Sequence, residues 1–430
     1  MSAPLRLAVA GLGTVGAGVA RLLAENREVL TRRCGRPLEL VAVSARDRTR
    51  DRGVPLDGIA WYDDAVGMAR EAPADVVVEL IGGPNGPAKA VCEAAIAAGR
   101  HVVTANKALL AHHGNDLAET AEAAGLSLNY EAAVAGGIPI VKALREGLAS
   151  NGISRVYGIL NGTCNYILTT MRETGRPFAD VLAEAQELGY AEADPSTDVD
   201  GVDAAHKLAL LSSLAFGCRV DFAHVYTQGI RHVSPLDIEF AEELGYRIKL
   251  LGSARITEHG LEQRVHPCMV RRDTAIAKVE GVTNAVVARG NFVGDTVYEG
   301  SGAGAGPTAS AVVADLVDVA RDRRAPTFAV PAPELAALPP APMERHQGDY
   351  YIRLSVLDQP GVIADIAAAF RDERVSIEAM LQRARSETEA VPVVLTTHRV
   401  EEAALQRAVA RIDRLDTVVE ETRMIRIEAL

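Results

Sequence analysis

Leu7-Ala8-Val9-Ala10-Gly11-Leu12-Gly13-Thr14-Val15-Gly16 is an apolar run that breaks into a G-x-G-x-x-G turn and passes directly into a helical pattern. The order carries the reading more than the glycines do. In this arrangement the first glycine makes a tight turn, the second lets the backbone approach a pyrophosphate, and the third lets the helix pack closely on the strand. The helix N-terminus then stabilises the phosphate charge. A glycine turn in an unrelated α/β protein would lack the strand before it and the helix after it. Gly11, Leu12, Gly13, Thr14, Val15 and Gly16 are therefore the candidate cradle for a dinucleotide.

Outward from that turn, short Val-rich runs alternate with Ala-rich stretches: strands at 5–10, 38–44, 75–81, 101–105 and 126–132, and helices at 14–30, 86–98 and 114–124. Such a βαβ series predicts an α/β fold, a doubly wound parallel sheet of the Rossmann type over residues 1–134. From 135 the pattern changes. Helices near 137–148, 163–173, 177–188 and 201–216 mix with strands at 153–160, 248–257, 261–272 and 285–297, an α+β domain for substrate binding and dimerisation over 135–300. The Gly-rich segment from Gly300 to Gly306, with an apolar helix from Ser310 to Val319, returns the chain to the cofactor cleft at 301–330. Prolines 331, 333, 339, 340 and 342 mark a semi-rigid linker over 331–349. A separate domain over 350–430 follows, with strand 350–357, helix 361–372, strands 375–382 and 391–397, helix 400–412 and strand 417–428. That is a ferredoxin-like βαββαβ unit. There is no internal repeat.

Composition excludes several classes. The 430 residues are 48% apolar, ample for real cores. Net charge is -12 with Lys and Arg scattered, so the basic footprint of a nucleic-acid binder is missing. The start Met1-Ser2-Ala3-Pro4-Leu5-Arg6 has no leader pattern, and no run is long enough to span a bilayer, so a cytoplasmic chain with no membrane partner is expected. Cys34, Cys92, Cys164, Cys218 and Cys268 lie far apart, without the spacing of zinc ribbons or disulfide scaffolds.

Cofactor choice turns on the end of the second strand, where an acidic residue suits the ribose of NAD and a basic one the 2′-phosphate of NADP. Here Leu40–Ala45 ends in Arg46, with Asp47 and Arg48 alongside. This favours NADP and leaves NAD open; a solvated loop that ignores the cofactor is the bland alternative. Val102-Val103-Thr104-Ala105-Asn106-Lys107 places a lysine at the carboxyl end of a strand, where its ammonium can meet cofactor, substrate carboxylate or both. The turn from Glu131 to Ile138 offers backbone carbonyls beside a carboxylate, and oxygen ligands suit a hard cation.

The densest polar stretch runs from Gly189 through Tyr190, Glu192, Asp194, Asp198 and Asp200 to Asp203 and Lys207. Asp203 and Lys207 stand at i and i+4 and share a helix face. On a surface helix such a pair merely solvates. This helix is apolar on more than one face, through Leu208, Leu210, Leu211 and Leu214, and charges in a buried helix need a partner or a purpose. His206 points away from the pair.

At these residues the chain resembles the homoserine dehydrogenases. The likeness rests on Gly11–Gly16, Thr104-Ala-Asn-Lys107, Asn161-Gly-Thr-Cys-Asn-Tyr166 and above all Glu192-Ala-Asp-Pro-x-x-Asp198-Val-x-Gly201-x-Asp203-x-x-x-Lys207. It spans residues 5 to 325. The tail, with Asp358-Gln359-Pro360-Gly361-Val362, resembles an ACT domain. With no aspartate kinase domain read ahead of it, the chain is expected to resemble the monofunctional form. The resemblance implies reversible NAD(P)H-dependent reduction of L-aspartate 4-semialdehyde to L-homoserine on the route to threonine, methionine and isoleucine. It implies Lys207 as proton donor with Asp203 holding its ammonium, and Glu192 on the substrate amino group with Asp198, Thr163 and Tyr190 nearby. It further implies Lys107 beside nicotinamide and substrate, and Gly302 against the cofactor. Glu131, Val134, Gly136 and Ile138 match a site for sodium or another monovalent cation, held largely by backbone. The ACT resemblance implies threonine or a related amino acid as effector, feedback regulation, and a homodimer or homotetramer.

Two rivals follow from the same residues. A phosphorylating semialdehyde dehydrogenase needs a nucleophilic cysteine, for which Cys164 is the candidate. A non-catalytic amino-acid sensor needs only the C-terminal domain, so turnover by a chain truncated near 345 excludes it.

Overall fold

The computed structural model describes residues 3–54, 56–383 and 389–430. Met1 and Ser2, where the expected leader-free start was read, lie outside the described residues.

The N-terminal third is a parallel sheet of β1 (Leu5–Ala10), β2 (Leu38–Ser44), β3 (Ala60–Tyr62), β4 (Val76–Glu79), β5 (His101–Thr104) and β6 (Leu128–Asn129). Its order is β3-β2-β1-β4-β5-β6. The Val-rich strands are buried on both faces, as a covered parallel sheet requires. One face packs on α1 (Thr14–Glu25) and α2 (Arg27–Cys34), the other on α3 (Ala65–Glu71), α4 (Pro87–Ala97) and α5 (Lys107–Ala123). The order reverses between β1 and β4, so the crevice beyond Ala10 and Glu79 is the place for a ligand.

Three expectations change here. The helix expected over 14–30 divides at Asn26, which closes α1 and opens α2. The helix expected at 114–124 begins at Lys107, because the Asn106 side chain caps it by accepting the Leu109 N–H at 3.0 Å. The strand expected over 126–132 pairs at only two residues before a 3-10 turn at Glu131–Ala133. The short β3 and α3 carried too little periodicity to be expected.

In the second domain, α6 (Ile140–Lys142) runs into a π-helical turn at Ala143–Gly147, where a regular helix over 137–148 was expected. Then come β7 (Ile153–Ile159), α7 (Gly162–Thr174), α8 (Phe178–Glu187), α9 (Ser196–Val199), α10 (Val202–Phe216), the two-residue β8 (Tyr226–Thr227), α11 (Pro235–Glu243), β9 (Tyr246–Thr257) and β10 (Gly260–Arg271). The single strand expected over 285–297 is a hairpin, β11 (Thr283–Gly290) and β12 (Gly294–Ser301), turning at the exposed Phe292. α12 (Ala305–Ala320) then packs against α1, so the chain does return to the cofactor domain.

The C-terminal unit is β13 (Gln347–Leu357), α13 (Val362–Asp372), β14 (Ile377–Gln382), β15 (Ala390–Thr397), the short β16 (Val400–Glu401), α14 (Glu402–Ile412) and β17 (Arg423–Glu428). It has its own apolar cluster under the two helices, yet it is not structurally separate. β17 pairs in parallel with β10, Cys268 opposite Arg426, so one sheet runs β12-β11-β7-β9-β10-β17-β13-β15-β14 through both units. Without β17, β10 would present an open edge. The proline-rich stretch is bonded to the same strand, Leu261 N–H donating to Pro339 O at 2.8 Å and Ala341 N–H to Leu261 O at 2.9 Å.

Candidate active site

The glycine turn is built as a cradle. Gly13 caps α1 without any side-chain hydrogen bond, leaving the first-turn N–H groups for a ligand. Gly16 cannot carry a Cβ, which would stand 2.1 Å from Gly11 O, whereas a Cβ on Gly13 would meet nothing within 4 Å. Above the turn lies a cavity of roughly 270 Å³ lined by Leu12, Gly13, Thr14, Arg21, Arg50 and Arg52 among others. These features fit a pyrophosphate. Arg46, the expected basic residue, is exposed and does not line this cavity. Arg50 and Arg52 do, and the Arg52 Nε donates to Leu12 O at 3.0 Å. The alternation Arg46, Arg48, Arg50, Arg52 was the available signal; a loop without periodicity does not say which member turns inward.

A second cavity, roughly 720 Å³, opens between the carboxyl ends of the parallel sheet and the second domain. Lys107, Thr163, Tyr190, Glu192, Asp198, Asp203 and Lys207 all line it, and Val15, Gly136 and Gly302 line it from the cofactor side. At Gly302 a Cβ would fall 2.1 Å from the Asn284 amide, so any larger residue would have to displace that side chain.

α10 is buried from Asp203 to Leu214 and packs against α5, which brings the first residue of α5 onto the first turn of α10. The Asp203 carboxylate is thereby shared. Oδ2 accepts from Lys207 Nζ at 2.7 Å and from Asn161 Nδ2 at 2.9 Å, and Oδ1 lies 3.0 Å from Lys107 Nζ. Burial alone would raise the Asp203 carboxyl, but Lys207 and Lys107 outweigh it and hold it well below the carboxylate range. Asp203 in turn raises Lys107. Lys207 Nζ also donates to Leu160 O at 2.7 Å. An ammonium has three donors, and these two contacts leave one for the cleft.

Asp198 accepts from Asn161 Nδ2 at 2.8 Å, and burial together with Asp203 raises its carboxyl. Thr163 Oγ1 donates to Tyr190 O at 2.7 Å, and the Tyr190 ring meets Tyr166 edge-on at 4.9 Å. Gln186 holds the loop through the Glu192 and Ala193 carbonyls, leaving the Glu192 carboxylate exposed in the cleft. His206 turns away, packing on Phe222 and His112, and burial with His112 pushes it down to about 4. Cys164 is buried, its thiol donates to Asp198 O at 3.2 Å, and burial raises it well above the thiol range.

Beneath the site lies a network that sequence reasoning missed. Glu79, fully buried at the end of β4, accepts from Ile81 N at 2.7 Å, Gly82 N at 3.1 Å and Thr104 Oγ1 at 2.6 Å. Asn106 bonds Thr104 Oγ1 and Gly83 O, so this chain of contacts fixes the loop beside Lys107. A lone glutamate ending the run Val76-Val77-Val78 was the clue.

The Glu131 carboxylate turns inward, accepting the Val141 and Lys142 N–H groups at 2.9 Å each, while its own N–H donates to Asp315. Burial and the neighbouring Asp315 raise its carboxyl above the usual range. Val134 and Ile138 are buried beside it, and Gly136 turns back on Gly302. Among the described residues no three His, Cys, Asp or Glu side chains group for a metal, and no helix is long and apolar enough to cross a membrane.

The chain is also similar to known proteins. The family described as homoserine dehydrogenase, NAD binding domain, matches residues 11–131; homoserine dehydrogenase matches 139–317; ACT domain matches 350–417. The homoserine dehydrogenases of Neisseria gonorrhoeae and Pseudomonas aeruginosa are each 46% identical, over 99% of this chain and 99% of theirs. The crystal structure of a homoserine dehydrogenase from Thiobacillus denitrificans superimposes with a TM-score of 0.93 at 46% identity, over 99% of this chain and 98% of that one. A hyperthermophilic archaeal homoserine dehydrogenase in complex with NADPH aligns with a TM-score of 0.63 at 26% identity, over 73% of this chain and 97% of its own.

Proposed function

The chain belongs to the homoserine dehydrogenase family, NAD(P)-dependent oxidoreductases acting on a CH–OH group, and from that premise we propose that it interconverts L-aspartate 4-semialdehyde and L-homoserine with Lys207 as the proton donor. The observation that carries this is the Lys207 ammonium, fixed by Asp203 and Leu160 with its third N–H toward the cleft. The nicotinamide supplies or accepts the hydride. Lys207 gives its proton to the carbonyl oxygen in reduction and recovers it in oxidation, and Asp203 stabilises the ammonium and aims it.

Glu192, with Asp198, Thr163 and Tyr190, receives the substrate amino group, and Lys107 receives the carboxylate or stands beside the nicotinamide. NADP is the preferred dinucleotide and NAD a second one: Arg46 stands at the strand end, and Arg50 and Arg52, which line the cavity above the glycine turn, add to its support. Gly302 admits the cofactor closely. At the turn of Glu131, Val134, Gly136 and Ile138 the Glu131 carboxylate is spent on backbone N–H groups, so sodium or another monovalent cation there would rely on backbone oxygens. The ACT domain senses threonine or a related amino acid across paired subunits of a homodimer or homotetramer, in a cytoplasmic route to threonine, methionine and isoleucine. The thiol-nucleophile alternative finds no support in Cys164, which is buried and held as a neutral donor.

The test is direct. Purified protein mixed with aspartate 4-semialdehyde should oxidise NADPH faster than NADH and stop when substrate is spent. No oxidation with either cofactor would overturn the reading, and turnover indifferent to threonine would remove that effector.

A further inference from the structure

Asn161 caps α7 and is 5% exposed, and none of the roles above uses it. Its Oδ1 accepts the Cys164 N–H at 2.8 Å, while its Nδ2 donates to Asp198 Oδ1 at 2.8 Å and to Asp203 Oδ2 at 2.9 Å. A primary amide has two N–H groups and one oxygen, and all three are committed. The flipped amide would set oxygen against two carboxylates and NH₂ against a backbone N–H, so the network admits one orientation.

The two carboxylates are not equally provided for. Asp203 has Lys207 and Lys107 at ion-pair distance. Asp198 has no ion pair among the described residues, and Asn161 is the side-chain donor to its carboxylate. The other charged or titratable groups facing the pair are Glu192 on the loop, Asp200 after α9, Cys164 on α7 and His206 on α10. None of these supplies a cation to Asp198: two are acids, one a neutral thiol, and His206 is held neutral.

We infer that Asn161 is a positioning residue, one amide that holds the carboxylate proposed to face the substrate amino group in register with the carboxylate that aims the proton donor. The inference rests on the proposed function, because Asp198 meets an ammonium only if the substrate is an amino-acid aldehyde. Loss of the amide N–H groups releases both carboxylates together. Asp198 swings and protonates more readily, which weakens substrate binding; Asp203 loses one donor on the oxygen that holds Lys207, which slows the proton step. A hydrogen bond to the charged form favours that form, so its loss moves the acid limb of activity upward in pH.

Asn161→Ser tests this, because serine still caps a helix but cannot donate to two carboxylates. We expect a melting temperature close to that of the wild type and retained NADPH binding by fluorescence. We also expect KM for homoserine to rise and kcat to fall, each by roughly 5- to 30-fold at pH 7, with the acid limb of kcat/KM displaced upward by about one pH unit so that the deficit shrinks in alkaline buffer. Asn161→Asp keeps the cap acceptor and adds a third carboxylate, so its acid-side loss should be deeper still. A Ser profile parallel to the wild type at every pH, an unchanged KM, or an Asp variant that tracks the wild type would overturn the inference. Wild-type enzyme in the same buffers separates the two readings. Its failure to oxidise homoserine sinks the proposed function, whereas an active wild type beside a parallel Ser profile sinks only the role of Asn161.

Discussion

Two regions of this molecule bury a carboxylate between two cations, and they do it with different head groups. In the cleft, Asp203 is shared by Lys107 and Lys207, and the Lys107 side chain is still 35% exposed. Where the second domain meets the C-terminal unit, Glu428 lies 2.5 Å from Arg155 and 3.0 Å from Arg264, while Arg426 grips Glu402 and reaches Tyr226 and Gln228. The side chains of Arg264 and Arg426 are 1% and 2% exposed. Guanidinium is a planar fork that never releases its proton, so it suits a sealed joint; ammonium is a point charge on a flexible stem and can lose one. The sealed cluster carries desolvation costs to join two units, whereas the open one leaves an N–H for chemistry.

The largest test of this contrast removes the joint. Cutting the chain after Arg345 strips β17 from β10 and leaves Arg155 and Arg264 without Glu428, so we expect loss of soluble protein by size exclusion. A soluble, active truncation would show that the second domain does not need the joint, the outcome expected if the C-terminal unit were separate. Lys207→Ala should lower turnover on the order of a hundredfold or more with NADPH binding retained, because the proposed proton donor is gone; unchanged turnover would remove Lys207 from the mechanism. Glu402→Ala leaves Arg426 buried and unpaired and should cost about 3–5 kcal/mol in denaturant unfolding, with turnover of the folded fraction nearly intact. Lys107→Ala should lower kcat/KM by roughly tenfold and leave the melting temperature almost unmoved, since the partly exposed ammonium is screened.

A further expected effect is in pH. His206 titrates near 4 in the folded chain against an ordinary 6.5, so the unfolded state binds more protons between those values. Stability from this group is fully present above 6.5 and is lost as pH falls toward 4. His206→Phe should flatten the decline of stability between pH 7 and 5 by about 1–2 kcal/mol; an identical decline would mean that His206 is not the group responsible.

Legibility followed range. The glycine cradle, the helix start near Gly201, and the i,i+4 pair of Asp203 and Lys207 are local and were readable. The break at Asn26 and the π-helical turn after Lys142 were not, because helical periodicity passes smoothly through both. Arg46 was chosen on position along a strand, while the place of Arg52 at the cavity depends on a loop whose Arg52 side chain bonds Leu12 O. Glu79 and Asn161 were in view as letters, but their work is done by partners brought in from other strands and helices.

By itself, the sequence determined most of the regular elements, the dinucleotide turn and the set of residues that line the cleft, since these follow from backbone periodicity, glycine sterics and side-chain spacing. Only the tertiary structure decided that Lys107 shares Asp203 with Lys207, that Asn161 spans two carboxylates, and that the C-terminal unit extends the sheet of the second domain. Each of those depends on burying charged or unpaired groups from distant parts of the chain against one another, and the energy that selects such pairs exists only once water has been excluded from between them.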